Sequence, residues 1–390
     1  MVFSSAAFLF LFLPATFLLL YPMPRRLQNY GLLAASILFY LWGAGSYIWV
    51  IGVVSLVSWL LGMAIGRNPN RKRSTITIAA AILVIGTPLI YFKYAPVIAG
   101  YLNPGAFENS IILPLGISFF TFHAISYVVD IYRGDIAPAR NLSHYLLYLF
   151  IFPHQIAGPI VRFSEIKDEI AARNRARSED VIYGLARFGW GLFKKVFVAD
   201  QAGAVADTLF EYGWLLNGST AWIAVTAYAI QIYFDFSAYS DMALGIARVF
   251  NFHFPENFTG PYRARSATEF WQRWHMTLSR WFRDYVYIPF GGNRKGKVRE
   301  YAGLLLTFAL TSLWHGANWN YLVWGGMWSG LLLFERITGL RKVQKLQMLG
   351  RGFMILFIIF SWVPFRISDM SEVTEIWSLL LSREFGPLHP

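Results

Sequence analysis

The sequence predicts an all-α fold, a polytopic transmembrane helical bundle. Three observations carry that prediction. Charged side chains make up 14% of the 390 residues while apolar ones reach 56%, against about 25% charged in soluble domains. Apolar runs recur along the chain at lengths suited to a hydrocarbon layer of roughly 30 Å. Charge is gathered into short connecting segments, so the formal net charge of +12 reads as loop topology, not as a surface for nucleic acid.

The runs, in order, are Phe3 to Tyr21, Gly31 to Gly43, Ser46 to Gly66, Thr75 to Phe92, Ile111 to Val129, Leu142 to Ile160 and Val181 to Val198. Ser219 to Phe234, Ala238 to Phe252, Tyr301 to Trp314, Tyr321 to Glu335 and Phe353 to Phe365 follow. The first lacks a basic leader and a small-residue cleavage site and is expected to be retained. Several are shorter than a straight span needs, so about ten to twelve membrane helices are expected, some tilted or re-entrant within the bundle. Basic connections at Arg67 to Arg73, Arg162 to Arg177 and Arg294 to Arg299 are expected on the cytoplasmic side. Ala95 to Ser110 and Glu211 to Thr220 carry no Lys or Arg and are expected outside. Neither a repeat nor a polar linker interrupts the chain, which reads as a single integral-membrane domain over residues 1–390.

Chemistry is sought where polar groups interrupt apolar sequence, because a charge at mid-bilayer costs on the order of 2.5–3.5 kcal/mol unless it faces a cavity or partner. The absence of cysteine removes thiol nucleophiles and thiolate metal sites. Ser266 and Glu269 have capping-box spacing, and a helix from there to Tyr287 would align Trp271, Trp274, His275, Leu278, Trp281, Phe282 and Tyr285 on one stripe. Gln272, Arg273, Ser279, Arg280 and Arg283 would lie on the other, giving an amphipathic interfacial helix. His275 is the polar exception on the apolar face; the alternative to a functional role is a ring bonded to a backbone carbonyl.

His315 ends the run Tyr301 to Trp314, and Gly316 with Asn318 breaks the pattern after it. An imidazole at such a break suits a general base, since burial keeps it neutral and ready for a proton. His154 and Gln155 sit inside another apolar run, ahead of Gly158-Pro159. Asp235 and Asp241 could orient an imidazole or form structural ion pairs with buried cations. The turn Gly291 to Lys297, with Arg294 and Lys295, could hold the phosphates of a nucleotide-bearing donor or be a solvated loop. No HExxH or Cys/His spacing supplies a metal site, and no GxSxG elbow is present.

Read together, these stretches resemble the membrane-bound O-acyltransferase (MBOAT) family and its bacterial alginate O-acetylation branch. The matching features are Val2 to Ser5, Tyr91 to Tyr94, Pro114 to Phe119, Ser126 to Arg133, Pro153 to Phe163 and Lys194 to Asp200. Tyr233 to Ser237, Glu256 to Phe258, Trp274 to Trp281, Gly291 to Arg294 and Trp314 to Asn318 complete the series. The resemblance implies a bundle pierced by a central funnel and acyl transfer to a hydroxyl, with His315 as catalytic base and His275 as the second motif residue. His275 is expected to position the donor carbonyl or stabilise developing charge. Arg294, Lys295 and Trp274 are expected at the donor, and Asn318, Asp235, Asp241 and His154 as supporting funnel residues. It implies acetyl-CoA as acyl donor with no permanently bound cofactor, a polysaccharide acceptor, a periplasmic SGNH-type acetyltransferase partner and a multi-pass location in a bacterial inner membrane. The branch often continues beyond a segment like Trp362 to Arg366, so the bundle is expected to be shortened at its C-terminal end, or the chain to be partial. Two alternatives remain at this stage: D-alanyl transfer from a carrier-protein thioester to teichoic acid, and a non-enzymatic transporter.

Overall fold

The computed structural model describes residues 2–67, 71–102, 112–213, 216–339 and 347–382. Among them every regular element is helical. Positions 68–70 of the basic hinge, 103–111 of the connection expected outside, and the tail from 383 lie outside the described residues. Among the described residues, two segments are long and apolar enough to cross a membrane by length and composition, Arg25–Arg67 with 43 residues and Thr75–Gly100 with 26. Only 17% of the second is buried within the protein. Leu83 and Ile90 on that helix are exposed, as are Leu38, Trp42 and Trp49 on the first, an apolar surface that lipid accommodates and water does not.

Contacts divide the chain into two compact units, Met1–Trp190 with Tyr239–Pro255, and Gly191–Ala238 with Glu256–Pro390. In the first, the helix Ile48–Arg67 packs on Ile117–Arg133. Their approach is close enough that a Cβ on Gly62 would lie 2.6 Å from the Tyr127 ring. Two buried hydroxyls there are bonded: Ser58 bonds Tyr145 at 2.7 Å, and Tyr127 accepts the Ala139 N–H at 3.0 Å. Gly184 and Gly245 let two helices touch backbone to backbone, since a Cβ on Gly184 would lie 2.6 Å from the Gly245 carbonyl oxygen. The run Leu142 to Ile160 is not one span. Its helix stops at Phe150 and a single 3-10 turn, Phe152–His154, follows, because Pro153 offers no N–H and a φ of +99° at Gly158 turns the chain away.

The second unit is built on stacked aromatic rings. Phe270 stacks on Trp328 at 4.4 Å, and Trp274 packs against Trp362 at 5.0 Å. The helices Lys297–His315 and Trp319–Thr338 form a hairpin in which Gly325 admits Ser312 where a Cβ could not fit. The runs expected as separate spans on either side of Asp235 form one continuous helix, Gly218–Val249, which contributes to both units. The partners of its polar interruption come from a π-helical turn, Lys194–Ala199. Lys195 pairs with Asp235 at 2.7 Å and Asp200 at 2.8 Å, and Lys194 donates to Ser237 at 3.0 Å.

Candidate active site

The segment expected as one amphipathic helix from Ser266 to Tyr287 is broken. It runs as Ala267–Trp271, a turn, Met276–Phe282 and a π-helical stretch Arg283–Tyr287. Ser266 does cap the first piece, accepting the Glu269 N–H at 3.0 Å, but the Glu269 carboxylate returns to the N–H of Arg265. A second carboxylate from far along the chain completes the cap. Glu335, 7% exposed, accepts from the N–H groups of Ala267 and Thr268 and from the Thr268 hydroxyl.

The break falls at His275, whose backbone is left-handed at φ 41° and ψ 54°. A non-glycine residue is strained there, and such strain collects at functional positions. The segment Asn257 to Thr259 holds the break in place. The Thr259 N–H donates to the Arg273 carbonyl, and the Met276 N–H to the Asn257 carbonyl. The His275 Nδ1 lies 3.0 Å from Oδ1 of Asn257, which also accepts the Thr277 N–H at 3.3 Å and its hydroxyl at 2.8 Å. The ring is 2% exposed and its Nε2 is buried with no hydrogen-bond partner. His275 lies between the apolar runs, not within one, and burial lowers its pKa from the ordinary 6.5 to about 3, so the ring is neutral.

His315 is the last residue of its helix and is half-buried. Trp314 at 4.5 Å, Phe365 at 4.8 Å, Trp324 at 5.1 Å and Tyr321 at 6.1 Å surround the ring. Gly316 is required beside it, because a Cβ there would lie 2.4 Å from the Tyr321 ring. Trp314 is shared: its ring centre is 6.3 Å from that of His275. The two imidazoles predicted from sequence therefore belong to one aromatic cluster.

A cavity of about 450 Å³ lies alongside. Neither imidazole lines it. Thr311, one turn before His315 on its helix, does line it, as do Met276 and Thr277 directly after His275. Arg280, Arg283 and Arg336 line it together with Glu256, and two of these arginines are paired, Arg283 with Asp284 at 2.7 Å and Arg336 with Glu300. A second cavity of about 440 Å³ shares Arg283, Tyr287 and Arg336 with it and reaches Asn293 and Lys297.

The other candidates divide. Arg294 and Lys295 are exposed on the turn before Lys297 and line neither of these cavities. Trp274 is 5% exposed and locked among Phe258, Phe270 and Trp362, which makes it a packing residue of the aromatic core. Asn318 is exposed, at the N-terminal boundary of the helix Trp319–Thr338. Asp235 is the partner of Lys195. Asp241 and His154 belong to the first unit. There Asp241 pairs with Arg187 at 2.7 Å, and His154 bonds the Tyr148 carbonyl at 2.8 Å. Among the described residues, no three His, Asp or Glu side chains converge on a metal position.

Residues 139–368 match MBOAT, the membrane-bound O-acyltransferase family. This chain belongs to that family. It is 40% identical to the probable alginate O-acetylase of Pseudomonas putida over 98% of its own length and 80% of that protein. It is 31% identical to the peptidoglycan O-acetyltransferase of Helicobacter pylori over 96% of its length and 79% of the relative. Against the teichoic acid D-alanyltransferase of Bacillus subtilis it is 26% identical over 77% of its length and 79% of the relative. The chain is thus a membrane-bound MBOAT acyltransferase, and the broken segment and the hairpin carrying His275 and His315 both fall inside the matched region.

Sequence reasoning missed Asn257 as the partner of His275, Arg336 as a cavity cation and Glu335 as a remote cap. A lone Asn between Glu256 and Phe258 carries no local signal of its contact, which is made 18 residues along the chain.

Proposed function

We propose that this chain is an O-acetyltransferase that moves acetyl groups from cytoplasmic acetyl-CoA towards an extracytoplasmic polysaccharide. His315 is its general base. The proton of the acceptor hydroxyl passes to the imidazole as oxygen attacks the thioester carbonyl. The tetrahedral intermediate then collapses to the ester, and the departing thiolate takes the proton back. Base assistance of this kind contributes about 10²–10⁴ in rate.

The observation that carries the reading is the shared aromatic cluster around His275 and His315 in a chain whose fullest relatives include those named for alginate and peptidoglycan O-acetylation. Arg280, Arg283 and Arg336, which stand beside Glu256 in the adjoining cavity, offer guanidinium groups to the phosphates of a donor such as acetyl-CoA. Lys297 and Asn293 line the second cavity together with Glu300 and Glu335. A multi-pass location in a bacterial inner membrane fits the long exposed apolar helices. A periplasmic SGNH-type partner that completes delivery to the polymer fits an acyl donor and acceptor on opposite sides. D-alanyl transfer is the lesser reading, because the D-alanyltransferase relative matches at lower identity and over less of the chain.

The test is mass spectrometry of surface glycans from cells with and without the gene. Loss of acetyl esters is expected; loss of D-alanyl esters, or no change in any ester, would contradict the reading.

A further inference from the structure

The cluster around His275 fixes more than the position of the ring. A neutral imidazole carries one proton, on either Nδ1 or Nε2, and the partner of one nitrogen decides the chemistry of the other. Here the partner is the side-chain amide of Asn257, and its own orientation is settled by a donor that cannot be reversed. The Thr277 backbone N–H points at the Asn257 atom that lies 3.0 Å from His275 Nδ1. A backbone N–H only donates, so that atom is the amide oxygen; turning the amide over would set N–H against N–H. An oxygen that already accepts from Thr277 must also accept from His275, so the proton sits on Nδ1. Nε2 then holds a lone pair, in a position 2% exposed and without a partner.

We propose that Asn257 is a positioning residue that locks His275 in the Nδ1–H tautomer, so that Nε2 works only as a hydrogen-bond acceptor. The left-handed backbone at φ 41° agrees with this, because a strained residue persists only where its surroundings hold it in place. The bonds from Asn257 and Thr259 on to the break supply that hold. The consequence for the reaction is a change of role. A neutral ring locked in this way cannot donate to an oxyanion from Nε2. Any group that comes to Nε2 must be a hydrogen-bond donor, and on the hydroxyl-acceptor reading above a sugar hydroxyl is such a group. The lock itself does not depend on that reading.

Nitrogen-15 NMR of the detergent-solubilised full chain labelled at histidine tests the proposal, with the His275→Asn variant assigning the signal. The expected spectrum has a protonated Nδ1 and a bare Nε2, and the ring stays neutral on acidification through pH 5. In Asn257→Asp the new carboxylate favours the charged ring, and the titration is expected to move up by about 1–3 pH units. In Asn257→Leu the Nδ1–H preference is expected to disappear. A wild-type signal protonated at Nε2, or an Asn257→Asp titration that superimposes on the wild type, would overturn the proposal. If both Asn257 variants fail to fold, the wild-type spectrum decides alone. If the tautomer is as expected while no acetyl transfer is found, the lock stands and the reading of function falls.

Discussion

The carboxylate of Glu335 accepts hydrogen bonds from both the backbone N–H and the hydroxyl of Thr268, at 3.1 and 2.9 Å, across 67 residues of chain. That contact ties the helix Trp319–Thr338, which packs against His315 through Tyr321 and Trp324, to the first turn of the segment that breaks at His275. Removing the carboxylate leaves buried donors without partners at about 1–3 kcal/mol each. Glu335→Ala is therefore expected to lower the melting temperature of the detergent-solubilised protein by several degrees. Glu335→Gln, which keeps one acceptor oxygen, should lose less. Equal loss in both would mean that the charge, not the hydrogen bonding, matters.

Gly316 gives a geometric prediction. A methyl group there would meet the Tyr321 ring at 2.4 Å, and the displaced ring is the one lying near-parallel to His315, at 20°. Misplacing a catalytic group by about 1 Å costs on the order of 10²-fold in rate. Gly316→Ala is expected to lower acetyl transfer to that degree while the protein still inserts and folds. Activity close to wild type would separate Tyr321 from the placement of His315.

Burial of His275 makes stability depend on pH. The folded ring has a pKa near 3 and the ordinary value is 6.5, so between those values the unfolded chain binds a proton that the folded one does not. Stability then falls as pH drops below 6.5, by at most about 1.4 kcal/mol per unit from this group, and is unaffected by it above. Denaturation of wild type and His275→Asn across pH 4–8 checks this. The gap between the two should change only on the acid side.

Arg283 belongs to the walls of both cavities. Arg283→Gln is expected to raise the KM for acetyl-CoA by about five- to tenfold with little change in kcat, as loss of uniform binding does. A fall in kcat at unchanged KM would move Arg283 from donor binding to the chemistry.

The helical class was legible in the sequence, because apolar runs are local signals, and so were the positions of two imidazoles that the fold brings into one aromatic cluster. The continuity of Gly218–Val249 was not. Asp235 and Ser237 read as a break, whereas Lys195 and Lys194, some 40 residues earlier, satisfy them. The broken segment at His275 misled for a related reason. Its spacing fits a 3.6-residue repeat on both sides, and nothing local announces the left-handed residue that Asn257 and Thr259 hold from outside. Trp274, the neighbour of His275 in sequence, packs in the aromatic core against Phe258, Phe270 and Trp362. Arg336 escaped the sequence reading because a basic cluster such as Arg294 and Lys295 stands out in a sequence and a lone arginine in a helix does not.

The central claim is that His315 removes the proton from the acceptor hydroxyl. Its most direct test is acetate release from surface polymer of cells expressing His315→Ala at wild-type level in the membrane, after feeding labelled acetate. The account predicts loss of labelled ester to the background of cells lacking the gene. Ester at the wild-type amount, from a variant shown to be folded, would contradict it.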